Sequence, residues 1–198
     1  MKLKVSEIFY SLQGEGARSG EPSIFIRLQG CKAKFACAKS GIVCDTEFES
    51  GREYSLGELT ERISVFPKAA IVWTGGEPLD QLTSEIVAHF KRLDYYQCVE
   101  TSGLHPSIEG LDFISLSPKV AEHILKKNFP DGVTEIRYVR HSGQEIPNPS
   151  VTAQYYFVSP HSDGFEINSE NLKHCISLCL KNPKWRMSIQ QHKLWKVL

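Results

Sequence analysis

The sequence has no surplus of charge: 23 Lys and Arg residues balance 23 Asp and Glu. A protein built mainly to grip nucleic acid or an anionic membrane carries a basic excess, so that class is disfavoured, local patches aside. It has no apolar run of about 18 residues, the length a membrane-crossing helix needs. Its first residues, Met1 to Glu7, hold an acid early and no apolar stretch of signal-peptide length. The expectation is therefore a protein of the reducing cytoplasm. Internal repeats, low-complexity tracts and linker-like stretches are also missing, so residues 1–198 are expected to form one domain. Finally, 198 residues fall short of the ~250 that a closed eight-fold (β/α) barrel typically takes.

What is there is an ordinary globular composition, 41% hydrophobic and 23% charged, which is enough for a real core. There are 6 cysteines. In a reducing compartment they are not expected to form a disulfide framework. Cys31, Cys37 and Cys44 fall close together, and such a cluster reads first as a metal or cluster site.

Strand and helix patterns alternate along the chain. Val5–Phe9, Ser23–Leu28, Ala69–Trp73, Gln97–Thr101, Phe113–Leu116, Ile136–Val139, Tyr155–Val158 and Trp185–Ile189 read as strands. Ser55 and Glu58 fit a capping box ahead of Leu56, Leu59 and Ile63. Leu79, Leu82, Ile86, Phe90 and Leu93 mark one face of a second helix. A third is expected from about Asn168 to Leu180, with Leu172, Ile176, Cys179 and Leu180 inward and Asn182-Pro183 as its stop. This order predicts an α/β protein with a mostly parallel sheet of about six strands and right-handed crossovers. Few helices for so many strands predict an open, partial (β/α) barrel.

Chemistry in such a sheet collects beyond the C-terminal strand ends. The polar motifs lie there: Arg27 with Cys31, Gly75-Gly76-Glu77-Pro78, Glu100-Thr101-Ser102-Gly103, Ser117-Pro118-Lys119, and Ser159-Pro160-His161. Taken alone, the three cysteines leave three readings open. Three thiolates can hold three irons of a [4Fe–4S] cube and leave the fourth iron open. Zinc usually wants four ligands and a close Cys-x-x-Cys pair, which this loop lacks, although His161 or His192 could supply one ligand. Plain loop cysteines are the third reading. Gly76-Glu77 places pliable backbone and a carboxylate able to accept from an α-ammonium group, but it also fits an ordinary strand-to-helix turn.

Longer motifs carry a resemblance. They are Phe9–Gly16 with its Gln-Gly-Glu-Gly, Phe25–Cys31, Cys44-Asp45-Thr46, Thr74–Pro78, Glu100–Gly103, Ser117–Lys119 and Trp185–Lys193. Together they span nearly the whole chain. They resemble the radical S-adenosylmethionine superfamily and, within it, the 7-carboxy-7-deazaguanine synthases of queuosine and deazapurine biosynthesis. The cysteine spacing departs from the usual superfamily pattern of three and two intervening residues: here it is five and six, with Val43 rather than an aromatic before Cys44. An aromatic contact to adenine would then come from Phe35 or Phe48, or be absent.

The resemblance implies a reaction. A reduced [4Fe–4S] cluster gives one electron to S-adenosylmethionine, and the radical formed takes hydrogen from C6 of 6-carboxy-5,6,7,8-tetrahydropterin. The ring contracts, ammonia leaves, and 7-carboxy-7-deazaguanine results. It also implies a site. Cys31, Cys37 and Cys44 would hold the cluster, and Thr46 a Mg²⁺ ion, with Asp45 supporting the loop. Leu12, Gln13, Glu15, Arg27, Thr74, Glu100, His192 and Leu198 would meet the substrate. Gly75, Gly76, Glu77, Ser117, Lys119 and Ser159 would meet S-adenosylmethionine. Arg27 suits a carboxylate because its planar fork can bind both oxygens, and an unaided reading would be a salt bridge at a strand end. A one-electron reductant such as a flavodoxin and a second copy of the chain are the implied partners; nucleic acid and membrane are not.

Two other functions fit parts of the pattern. One is a small radical activase that abstracts hydrogen from a glycine of a partner protein. The other is a zinc-binding interaction module without catalysis. Cys98 reads as core, Trp73 and Trp185 as core or subunit contacts, His192 as a residue of a late strand, and Cys175 with Cys179 as a helix face rather than a second metal site.

Overall fold

The computed structural model describes residues 1–39, 49–146, 148–163 and 166–197. The elements run in chain order as β1 (Lys2–Leu12), β2 (Pro22–Leu28), α1 (Lys34–Lys39), β3 (Arg52–Ser55), α2 (Leu56–Ser64) and β4 (Ala70–Gly75). Then come α3 (Ser84–Arg92), β5 (Gln97–Thr101), β6 (Phe113–Leu116), α4 (Glu122–Asn128), β7 (Val133–Arg140) and β8 (Ala153–Pro160). The chain ends with β9 (Ser162–Asp163), β10 (Glu166–Ile167), α5 (Ser169–Lys181), β11 (Arg186–Met187) and α6 (Gln191–Trp195).

Among the described residues, one sheet carries nine strands in the order β11-β8-β7-β6-β5-β4-β2-β1-β3, and β9 and β10 form a separate antiparallel pair. Every neighbour from β2 to β11 is parallel, while β1 runs antiparallel to both β2 and β3. The expected parallel strands are therefore present, extended at one edge by an antiparallel pair.

The sheet is strongly curved. In sheet order, β1 and β7 are five spacings apart, about 24 Å if flat. Yet Glu15, just past β1, and Arg137 of β7 form an ion pair at 3.3 Å. The sheet curls into an open barrel with one concave and one convex face.

Strand alternation decides what each face holds. Ile24, Ile26, Leu28, Ile71, Trp73 and Val99 turn to the convex face and pack with Leu59, Ile63, Ile86 and Phe90 of α2 and α3. Ile136, Tyr138, Tyr156 and Val158 pack with Leu125, Cys175 and Trp185 farther along. The alternate residues Phe9, Phe25, Val72, Cys98 and Phe113 close the concave side with an apolar floor. The buried Arg18 seals that floor: it donates to Cys98 Sγ at 2.7 Å and Ser23 Oγ at 3.1 Å and pairs with Glu21 at 2.9 Å.

Local signals set the helix starts. Ser55 and Glu58 form both bonds of a capping box, worth about 0.5–2 kcal/mol. Thr83 caps α3 and Asn168 caps α5.

Four local expectations need correcting. The helix expected from Leu79 is a 3₁₀ turn at Pro78–Asp80, followed by a break and α3. The Thr83 hydroxyl accepts Ile86 N–H, so the longer helix begins there. On α5, Cys175 and Leu178 are the buried pair, while Ile176 and Leu180 face outward, Leu180 being 80% exposed. The expected strand Trp185–Ile189 shrinks to Arg186–Met187, because Trp185 turns into the core between Tyr138 and Tyr156. His192 lies not on a strand but on the short α6.

Candidate active site

The concave face opens at the C-terminal strand ends into a cleft of about 240 Å³. Its wall brings together ten of the residues singled out from sequence: Glu15, Cys31, Cys37, Thr74, Gly75, Gly76, Glu100, Ser117, Lys119 and Ser159. They come from loops or strand ends far apart in the chain. What joins them is the parallel register, which stacks the ends of β2, β4, β5, β6, β7 and β8 side by side.

A polar row lies just above the apolar floor. Register pairs Arg27 with Thr74, Glu100 with Ser115, and Ser115 with Glu135. Thr74 Oγ1 donates to Glu100 Oε2 at 2.8 Å, and Gln13 Nε2 donates to Glu100 Oε1 at 3.0 Å. Glu15 N–H donates to Gln13 Oε1 at 3.1 Å. Gln13 thus joins Glu100 to Glu15, though it is itself buried and does not line the cleft.

The Gly75-Gly76 step brings β4 against the cysteine loop. Gly76 N–H donates to Leu28 O at 3.0 Å and Glu77 N–H to Gly30 O at 3.1 Å. A Cβ on Gly76 would lie 1.8 Å from Gly30 O and 3.1 Å from Cys31 Cβ, so only glycine allows this approach. Glu77 is not on the cleft wall. Its carboxylate accepts from Thr101 Oγ1 and Ser102 N–H, both at 2.8 Å, and from the Ser102 hydroxyl, tying the ends of β4 and β5 together. Asp80 holds the cysteine loop from another side, accepting Lys32 N–H at 3.0 Å and bonding His105 Nε2 at 2.7 Å.

Opposite, Lys119 Nζ donates to Ser117 Oγ at 2.7 Å. Ser159 is buried, and its hydroxyl has no hydrogen-bond partner among the described residues. An orphan donor in a cleft wall fits a site meant for a polar ligand. Cys31 and Cys37 share the same wall. Among the described residues no three His, Cys, Asp or Glu side chains form a metal cluster. Cys44, the third of the triad, lies outside the described residues, as do Asp45, Thr46, Phe48 and Leu198.

Several expected residues stand apart from the wall. Arg27 shares the polar row, but its Nη1 pairs with Glu7 at 3.0 Å and its guanidinium lies 4.9 Å from the Phe9 ring. Leu12 ends β1, half-buried and outside the cleft lining. Phe35 is 77% exposed beside Lys34 and does not face the cleft. The His192 ring lies against Gly14, where a Cβ would be 2.0 Å from Nδ1. Gln191 N–H donates to Gly14 O at 2.9 Å, so the C-terminal segment packs on the Gln13–Gly16 loop.

Sequence reasoning missed Arg137 and Glu135, both buried on the concave face of β7, with Arg137 on the cleft wall. Burial alone would lower the Arg137 pKa; the carboxylates of Glu15, Glu135 and Glu100 outweigh it and hold the pKa above the ordinary value. The signal was available: Glu-x-Arg alternates with apolar residues inside a strand flanked on both sides, so both charges must point to one face.

The other cysteines, Cys98, Cys175 and Cys179, are structural, and no described cysteine is in a disulfide. Burial pushes the Cys98 thiol up to about 12 and the Cys175 thiol up to about 11. Cys179 packs beside Cys175 against the core.

No family model matches the chain. It is 33% identical over 197 residues to a protein of Bacteroides thetaiotaomicron named 7-carboxy-7-deazaguanine synthase, covering 98% of each chain. It is 32% identical to a protein of that name from Haemophilus influenzae, covering 97% of this chain and 92% of the relative. A third such protein, from Buchnera aphidicola, is 33% identical over the full length of both. Among solved structures, the crystal structure of QueE from Escherichia coli superposes with a TM-score of 0.70 at 22% identity, over 97% of this chain and 95% of that one. That structural likeness supports the fold.

Proposed function

The chain belongs to the 7-carboxy-7-deazaguanine synthase family, and from that membership we propose that its cleft converts 6-carboxy-5,6,7,8-tetrahydropterin to 7-carboxy-7-deazaguanine with loss of ammonia. The family is one of radical S-adenosylmethionine lyases acting in queuosine biosynthesis. The glycyl-radical activase and the zinc module, both compatible with parts of the sequence, give way to this membership. The observation that carries the reading is a convergence: two cysteines, the Gly-Gly step and a carboxylate row all face one cleft.

Cys31, Cys37 and Cys44 would hold a [4Fe–4S] cluster, with Gly76 letting the β4 turn close against the first of them. When bound, the cluster and S-adenosylmethionine supply the radical chemistry; the protein supplies orientation, charge and exclusion of water. Gly75 and Gly76 present backbone to the amino-acid end of S-adenosylmethionine, and Glu77, behind the wall, keeps Thr101 and Ser102 in place around it. Ser117, Lys119 and Ser159 serve the same cofactor from the opposite wall, where the orphan Ser159 hydroxyl awaits an acceptor.

The substrate reads the polar row. Glu15 and Glu100 accept N–H groups of the aminopyrimidinone edge, and Gln13 fixes the distance between them. Thr74 orients Glu100. Arg27 takes the substrate carboxylate by exchanging its bond to the half-exposed Glu7. His192, packed on Gly14, approaches from the C-terminal segment, and Leu12 and Leu198 would complete the substrate contacts. Thr46 would hold Mg²⁺, its hydroxyl being the oxygen chemistry that ion prefers.

The whole chain acts as one domain and as a homodimer, for which the outward Ile176, Leu180 and Met187 supply apolar surface. A one-electron reductant such as a flavodoxin and a cytoplasmic setting complete the reading. No helix among the described residues is long and apolar enough to cross a membrane.

The test is anaerobic reconstitution with iron and sulfide, then incubation with S-adenosylmethionine, dithionite and the pterin. Expected are a brown protein, deoxyadenosine, and the deazaguanine acid by mass detection. Iron-loaded protein that forms neither product would overturn the assignment.

A further inference from the structure

Arg137 and Glu135 have no task in the chemistry of cluster, cofactor and substrate, and their geometry gives them one. They sit two apart on β7, so both side chains enter the concave face. Glu135 is 2% exposed and Arg137 7%. Glu135 accepts Ala17 N–H at 2.7 Å and the Ser115 hydroxyl at 2.6 Å. Gly16, at φ +71°, lies so close that a Cβ there would fall 2.3 Å from Glu135 Oε1. Arg137 Nη2 reaches Glu15 Oε2 at 3.3 Å. Its Nη1 stands 3.8 Å from Glu135 Oε1 and makes no hydrogen bond among the described residues.

The loop Gln13–Ala17 is thus clamped at two points from one strand: its backbone by Glu135, and its one acidic side chain by Arg137. Three carboxylates, those of Glu15, Glu100 and Glu135, surround this one guanidinium. A planar fork of two nitrogens faces two carboxylates in one fixed geometry, which the single rotatable nitrogen of an ammonium does not supply.

We propose that Arg137 is a positioning residue for ring recognition: by fixing the Glu15 carboxylate at the cleft wall, it sets the preference for a ring bearing an exocyclic amino group over one lacking it. This rests on the reading that Glu15 meets the substrate. Arg137 acts through Glu15 and touches no reacting atom. An acceptor held in place and covered by the bound ring rejects a ring without the matching donor, because that acceptor would be left unpaired.

The test is anaerobic titration calorimetry on the reconstituted enzyme with two probes, 6-carboxypterin and its analogue with hydrogen in place of the 2-amino group. Arg137→Met should cut the ratio of the two affinities by about tenfold, the value of one hydrogen bond to a charged group. Arg137→Lys should restore part of the ratio, since one nitrogen can still meet Glu15. Glu15→Gln should cut the ratio as Arg137→Met does, and the double variant should add nothing. Equal weakening of both probes by Arg137→Met would make it a purely structural residue and overturn the proposal. If Arg137→Met does not fold, Arg137→Lys decides: a ratio equal to wild type overturns the proposal, and a severalfold fall supports it. An unchanged ratio in Glu15→Gln would instead sink the reading of Glu15, and the proposal with it.

Discussion

Thr74 and Glu100 face each other across neighbouring strands, the threonine hydroxyl donating to Glu100 Oε2 at 2.8 Å. With Gln13 on the other oxygen, the carboxylate is fixed in orientation from both sides. This pair sits at the centre of the polar row.

Glu100→Gln should weaken pterin binding by about tenfold or more, because a hydrogen bond to a charged group is worth about 1.5–3 kcal/mol. Thr74→Val should cost less, since it frees the carboxylate without removing it. Calorimetric titration with 6-carboxypterin gives the answer; wild-type affinity in Glu100→Gln would take that carboxylate out of the substrate site.

Gly76→Ala should lower the thermal midpoint and prevent stable iron retention, because its Cβ would strike Gly30 O. Gly57→Ala is the control. At that exposed position on α2 an added Cβ would meet open space, and the substitution should gain about 0.5–1 kcal/mol. Differential scanning fluorimetry and iron analysis read both variants. Full iron content in Gly76→Ala would contradict the close approach.

Arg27→Ala should cost less than about 1 kcal/mol of stability, since its ion pair with Glu7 is partly solvated. It should still weaken 6-carboxypterin more than pterin without the carboxylate. Equal losses for the two ligands would remove Arg27 from carboxylate recognition.

Cys98 and Cys175 are neutral in the fold, their thiols pushed up to about 12 and about 11 from an ordinary 9.0. Both shifts are upward and burial is the first cause. The stabilisation is therefore complete below about pH 9 and is lost as pH rises through these values. Chemical denaturation between pH 8 and pH 11 should show falling stability. Cys98→Ala should flatten that fall, and a curve unchanged by the substitution would assign it to other groups. At pH 8 neither thiol should react with iodoacetamide in the native protein.

How much was legible in the sequence depends on how local the signal was. The capping box at Ser55, the strands of the parallel sheet and the motifs at their ends could be read directly, because period-2 patterns and turn residues are local. The α5 face was misjudged because several apolar residues competed for one side, and only the neighbouring β8 and β11 chose Cys175 and Leu178. His192 was misplaced because its position depends on a contact with Gly14, far away in the chain.

The order of residues alone determined the membership of the family, the alternation of strands and helices, and which polar residues would stand at strand ends. Folding decided the rest: that Gln13 joins Glu15 to Glu100, that Glu77 braces two loops, that Arg27 rests on Glu7, and that Arg137 holds Glu15. The physical reason is curvature. Only a sheet that curls until the loop after β1 meets β7 can place side chains 122 positions apart within hydrogen-bonding reach, and no local pattern records that closure.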